Sequence, residues 1–120
     1  MSNLSASKKD SQHSTQTALR HNVGKARVDW LPPDTLMALG SLMGDQMGEG
    51  KKYPARNWEK GMPHMTVYAS LLRHLFAWAN GEDVDPESGH LHAAHVHWNA
   101  MALHTYLVRG IGEDNRPGSQ

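Results

Sequence analysis

From His90 to Arg109 the chain carries neither glycine nor proline, and apolar residues recur at helical spacing, so this run reads as one uninterrupted helix. At about 100° per residue, His92, His95, Asn99, Leu103 and Tyr106 share one face. Val96, Ala100 and Leu107 border that face, so it is expected to look inward. His90, His97 and His104 form a second stripe turned well away from the first. Directly before the helix stands Gly81-Glu82-Asp83-Val84-Asp85-Pro86-Glu87-Ser88-Gly89. Asp85-Pro86 and Ser88-Gly89 are turn signals, so four carboxylates sit on a loop facing paired imidazoles on a helix. That is the composition an acid–base or metal–phosphate site needs, and the function is placed here.

The rest of the chain must pack around that element. At 120 residues it is read as one domain. Cysteine is absent, which excludes disulfides and thiolate metal ligands and fits a reducing compartment. No apolar run approaches the roughly 18 residues of a membrane span, and the N-terminus has no apolar signal region. The chain is therefore expected in the cytoplasm, with no membrane partner. Twelve basic residues balance twelve acidic ones, so there is no bulk attraction to a nucleic-acid polymer.

Residues 1–20 are polar and poor in apolar groups and read as a disordered arm; residues 112–120 read as a disordered tail. Residues 21–111 remain as the folded domain. About ninety residues is a small core for a monomer, so a homo-oligomer is expected. Pro32-Pro33 starts a first helix, to about Met47, that buries Leu36, Leu39, Met43 and Met47. Gly40, Gly44 and Gly48 leave a bare strip on it where another backbone could approach, or else weaken the helix. A second helix, about Pro63 to Asn80, is expected to bury Tyr68, Leu71, Leu72, Leu75, Phe76 and Ala79, with His74 and Trp78 on its flank and Arg73 turned elsewhere. The fold class is all-α: a small antiparallel helical domain with disordered ends. No strand pattern, repeat or heptad array is present.

Between the first two helices, Lys51, Lys52, Tyr53, Arg56, Trp58 and Lys60 sit on a segment bounded by glycine and proline. Cations with aromatics suit phosphates and a stacked base; a solvated loop pinned by Tyr53 and Trp58 has the same composition. Known metal signatures fail: there is no H-E-x-x-H and no Cys/His zinc spacing. His92-x-x-His95 places two imidazoles one turn apart, as a chelate requires, although either ring also serves as a hydrogen-bonded core group. Glu82, Asp83, Asp85 and Glu87 are hard oxygen donors suited to Mg2+ or Mn2+. Asp85 and Ser88 could equally cap the third helix.

Four blocks occur in order: Lys25-x-Arg27-x-Asp29-x-x-Pro32-Pro33; Lys52-Tyr53-x-x-Arg56-Asn57-Trp58; Leu72-Arg73-His74-Leu75-x-Ala77-Trp78; and Gly81-Glu82-Asp83-x-Asp85-Pro86-Glu87-Ser88-Gly89-x-x-His92-x-x-His95-x-x-x-Asn99. Over Gly24 to Tyr106 the chain resembles the phage-associated dATP/dGTP diphosphohydrolase N-terminal family, placed near the MazG-like pyrophosphohydrolases. The resemblance implies an all-α oligomer that handles purine deoxynucleotides with Mg2+ or Mn2+. It departs from the MazG pattern, which holds metal on E-x-x-E and E-x-x-D helices; the corresponding helices here offer His74 and His92, His95 and Asn99. On this reading Lys25, Arg27, Lys52 and Arg56 hold phosphates, with Tyr53 or Trp58 on the base and Asn57 and Asn99 in the nucleotide site. Glu82, Asp85, Glu87 and His95 carry the chemistry, and His74, Asp85, His92 and His95 are the metal candidates. The expected activity is cleavage of dATP or dGTP to monophosphate and pyrophosphate. The alternative is a non-catalytic protein that sequesters a nucleotide, including a host immune signalling nucleotide.

Overall fold

The computed structural model describes residues 17–21 and 23–118. The N-terminal arm expected over residues 1–20 lies, up to residue 16, outside the described residues. The chain divides between Trp30 and Leu31 into two compact units. Within the first, Val28–Trp30 forms a single 3-10 turn, Arg27 pairs with Asp29 at 2.7 Å, and its guanidinium lies 4.0 Å from the centre of the Trp30 ring.

The second unit is all-α. Helix α1 is Pro33–Gln46, α2 is His64–Ala79 and α3 is His92–Arg109, each within two residues of its expected span. Pro33 opens α1 at the position where a missing N–H costs nothing. Gly110, in the left-handed region at φ 68°, closes α3 by donating its N–H to Tyr106. α3 packs against both α2 and α1, whereas α1 and α2 do not pack on each other among the described residues. A cleft therefore opens above α3 with α1 and α2 as its walls. No helix is long and apolar enough to cross a membrane among the described residues.

The core is short and centred on Tyr106. Trp58, Val67, Ala102 and Tyr106 form its buried heart, with Met43, Met47, Met62, Trp98, Met101, Leu103 and Ile111 packed around them. Tyr106 is fully buried, and its hydroxyl donates to the Trp58 carbonyl at 2.6 Å. This bond ties the 3-10 turn Asn57–Lys60 to α3. The turn is entered through Arg56 at φ 59°, the one non-glycine residue with positive φ among those described.

Two expectations are corrected. Of the face that α2 was to bury, Tyr68, Leu75, Phe76 and Ala79 are exposed in the single chain, Phe76 at 64%. The reason is topological: α3 covers one side of α2, and α1 does not reach it. On α1 the buried residues are Leu39 and Leu42, while Leu36 is exposed and Met43 and the following Met47 are half-buried. A side chain on Gly40 or Gly44 would meet nothing within 4 Å, so neither makes a close backbone contact within the chain.

The tight approach is elsewhere. A Cβ on Gly61 would lie 2.8 Å from the Gly112 nitrogen, and one on Gly112 would lie 2.7 Å from the Met62 carbonyl. The segment from Gly112, assigned to a disordered tail by its polarity, is held there. Its Glu113 carbonyl accepts the His64 N–H at 2.8 Å, and Asn115 accepts the Met65 N–H at 2.9 Å. These acceptors satisfy amides at the start of α2 that a helix cannot satisfy itself.

Replacing Tyr106 with Phe should remove the hydroxyl from the Trp58 carbonyl, which then keeps only the Gly61 N–H at 3.1 Å. The expected loss is about 0.5–1.5 kcal/mol in urea unfolding, the net worth of one hydrogen bond; no measurable change would show that the bond does not anchor the turn.

Candidate active site

The cleft has a volume of about 580 Å3, within the range of small-molecule sites. One end is apolar and aromatic, lined by Met43, Met47, Tyr53, Trp58 and Trp98. Tyr53 is brought there by backbone bonds from its N–H to Gln46 and from Gly48 to its carbonyl, at 3.0 and 2.9 Å. Trp98 meets Trp58 edge-on at 5.8 Å, and its indole N–H is buried without an acceptor among the described residues. The other end is polar, lined by Lys52, Arg73, His74, Asp85, Glu87, Ser88 and His95.

The acid loop builds that end by folding on itself. Val84 bridges Leu91, the Asp85 N–H donates to His90 and the Gly89 N–H to Asp85. Asp85 and Ser88 do not cap α3, which begins after Leu91 without a side-chain cap. They cap their own turn: Asp85 accepts from the Glu87 N–H at 3.2 Å and from the Ser88 hydroxyl at 2.9 Å. The Ser88 oxygen also accepts from the His90 N–H at 3.2 Å and lies 2.7 Å from His95 Nε2. Because its single proton goes to Asp85, His95 must donate to it from Nε2.

A second chain of bonds runs behind the first. His74 Nδ1 lies 2.9 Å from His92 Nδ1, and His92 Nε2 lies 2.8 Å from Glu82 Oε1. The rings of His74 and His95 stack at 4.1 Å with 3° between their planes. Burial lowers the pKa of His74, and the charges of His92 and Arg73 lower it further, against the pull of Asp85 and Glu87. Burial also lowers that of His95, with His74 adding to it and Asp85 opposing. Burial works against the charge of Asp85, but Ser88, the Glu87 amide and the two imidazoles outweigh it, so its pKa lies below the ordinary value.

The sequence-derived residues separate accordingly. Lys52, Tyr53, Asn57, Trp58, His74, Asp85, Glu87, His95 and Asn99 all line the cleft. Asn99 is buried and donates to the His95 carbonyl at 2.8 Å. Arg56 does not line it and pairs with Glu59 at 2.8 Å. Lys25 and Arg27 belong to the other unit. Glu82 and His92 stand behind His74 rather than in the cleft. Arg73, expected to turn elsewhere, lines the cleft with no ion pair among the described residues. Ser88 was read only as a cap. The i+3 spacing from Asp85 was the signal for their mutual bond, but its partner His95 is set by tertiary packing.

The expected Mg2+ or Mn2+ centre does not fit this arrangement. One donor atom each of His74, Asp85 and His95 lies within 4.8 Å of the others, which is close enough in distance. Direction decides against it. The lone pairs of two parallel stacked imidazoles lie in parallel planes and cannot converge on one ion unless the stack opens. His92 is unavailable, since both its nitrogens are engaged. Imidazole is also a poor match for Mg2+.

The lowered histidine values set a pH dependence. Above the ordinary value of 6.5 both folded and unfolded histidines are neutral and contribute nothing. As pH falls below 6.5, the unfolded chain takes up protons that the folded chain resists, so stability declines until the folded values are passed. Asp85 acts separately: its contribution is present above 3.8 and is lost as pH falls through its lower folded value. Thermal melting should show Tm rising from about pH 5 to about pH 7.5, with a flatter slope in His74→Gln. An unchanged slope in that variant would assign the dependence to other groups.

The profile of the family described as dATP/dGTP diphosphohydrolase, N-terminal, matches residues 15–116. No curated protein and no solved structure matches the chain. With the match spanning nearly all the described residues, the chain belongs to the dATP/dGTP diphosphohydrolase N-terminal family.

Proposed function

We propose that the cleft binds a purine deoxynucleoside triphosphate, as its magnesium complex, and hydrolyses it to monophosphate and pyrophosphate. The observation that carries this reading is one continuous cleft with aromatic rings at one end and cations with imidazoles and carboxylates at the other, in a family described by dATP and dGTP hydrolysis. The base lies against Tyr53, Trp58 and Trp98, where the unpaired indole N–H offers it a donor. Lys52 and Arg73 hold the phosphates. Lys52 is only loosely engaged by Glu87 at 3.6 Å and can exchange that partner. Asp85 and Glu87 are the cleft carboxylates that would meet magnesium carried in by the triphosphate. The exposed stripe Tyr68, Leu75 and Phe76 supports assembly with a second copy, which would cover apolar surface that this small core leaves in water. Light scattering of wild type and Phe76→Glu tests that assembly: a monomeric wild type removes it.

A second reading keeps the same cleft but no chemistry. It is favoured by the absence of the paired helix carboxylates and by the closed His74–His95 stack. The two separate on one assay: pyrophosphate release from dATP and dGTP with magnesium, beside equilibrium binding. Tight binding of intact nucleotide with no release would leave sequestration. For either reading Arg73→Ala should weaken triphosphate binding by about tenfold to a hundredfold, as loss of a charge-assisted contact of about 1.5–3 kcal/mol does. Binding of the unphosphorylated nucleoside should not change. Unchanged triphosphate affinity in calorimetry would remove Arg73 from the site.

A further inference from the structure

For neutral rings, the bonds behind the cleft constrain the proton positions on three of them. The Glu82 carboxylate accepts only, so His92 donates to it from Nε2 at 2.8 Å. With the rings neutral, His92 Nδ1 then carries a lone pair. Its 2.9 Å contact with His74 Nδ1 can hold only if His74 donates. His74 is thereby the Nδ1–H tautomer, with a bare lone pair on Nε2, the distal edge of a ring that lines the cleft. His95 differs: its Nε2 donates to Ser88, and its lone pair falls on Nδ1, close to its own helix.

We propose that His74 is the proton acceptor of the cleft and that His92 and Glu82 are positioning residues that keep its Nε2 unprotonated and open. This deepens the hydrolytic reading and rests on it. A water oxygen attacks the α-phosphorus and its proton passes to His74 Nε2. The bond from the α-phosphorus to the bridging oxygen breaks, and pyrophosphate leaves against Lys52 and Arg73. The His74 imidazolium still donates from Nδ1 to His92, with the Glu82 anion behind it, and then releases its proton to water. The groups facing His74 are Asp85 and Glu87 from the loop, His92 and His95 from α3, and Arg73 on its own helix. The arrangement has the logic of a carboxylate orienting an imidazole, extended by one ring.

Nitrogen-15 NMR of the full chain labelled at histidine reads the tautomer without any turnover. His74 should show a protonated Nδ1 and a lone-pair Nε2. His92→Phe should shift it to the Nε2–H form, while His92→Asn, whose side-chain oxygen can replace the Nδ1 acceptor, should restore the wild-type pattern. Glu82 is half exposed, so Glu82→Gln tests the pair if His92 variants fail to fold. It should lower the apparent pKa on the acidic limb of kcat/KM while leaving KM unchanged. His74→Gln should reduce kcat by about a hundredfold or more. A wild-type His74 protonated on Nε2 overturns the proposal. So does full kcat in His74→Gln, or an acidic limb unmoved by Glu82→Gln. The expected tautomer in a protein that releases no pyrophosphate would instead overturn the hydrolytic reading and the acceptor role with it, leaving the His92–Glu82 pair as a structural support.

Discussion

The site depends on one packing constraint: α3 carries both other helices, and they do not carry each other. A three-helix arrangement with all pairs in contact would close over α3 and bury its middle. Here Thr66 and Ser70 on α2, small and polar, line the same cleft as Met43 and Gln46 on α1. What stops the walls from collapsing is the linker between them. The Asn57–Lys60 turn inserts Trp58, and the Tyr106 hydroxyl holds it by its carbonyl in a place where water cannot substitute. The same indole forms part of the core and part of the aromatic end of the cleft. Fold and binding surface are therefore joined at one residue.

At the polar end, direction matters more than composition. Four acids and four histidines in close sequence suggest a cation site, and in distance they could supply one. Hydrogen bonding commits most of the donor atoms elsewhere. Asp85 is engaged by an amide and a hydroxyl, His92 by Glu82 and His74, and His90 by Asp45 at 2.6 Å. What remains facing the cleft is a stacked pair of imidazoles whose protons are held by two separate chains, one through Ser88 and one through His92. Burial keeps both rings below the ordinary histidine pKa, so that they are neutral at pH 7.

How far the sequence reaches follows from the range of each interaction. Helix spans were legible because periodicity and the Pro33 and Gly110 stops are local. The face of His92, Asn99 and Tyr106 was legible for the same reason, and all three are buried. Arg73 was misplaced because its helix has no single inner face: one side packs on α3 and an adjacent side borders the cleft. Tyr68, Leu75 and Phe76 were placed inside on hydrophobicity alone, which cannot say whether a neighbour exists to cover them. The residues from Gly112 look like a polar tail, yet the Glu113 carbonyl and the Asn115 side chain complete the start of α2. Polarity there marks capping, not disorder. Arg56 was read as a phosphate ligand, but its positive φ and the Glu59 carboxylate direct it to the turn. Apart from Arg56, whose partner Glu59 is three residues away, each difference was set by packing distant in sequence.

The balance of charge in the cleft bears on whether it only holds its ligand. A site built for sequestration gains most from cations against the phosphates. This one sets two cations, Lys52 and Arg73, beside two carboxylates and two neutral rings. A neutral imidazole that presents a lone pair, as proposed for His74, is a poor partner for a phosphate oxygen, which is itself only an acceptor. Carboxylates beside the same phosphates are repulsive unless a cation arrives with the ligand. Groups that weaken holding but could accept protons are those that the proposed hydrolysis would use. The burial that lowers the histidine pKa values acts in the same direction, because it withholds positive charge from the phosphates while leaving a base unprotonated at neutral pH. On electrostatic grounds, the composition of the polar end favours the proposed hydrolytic reading over sequestration.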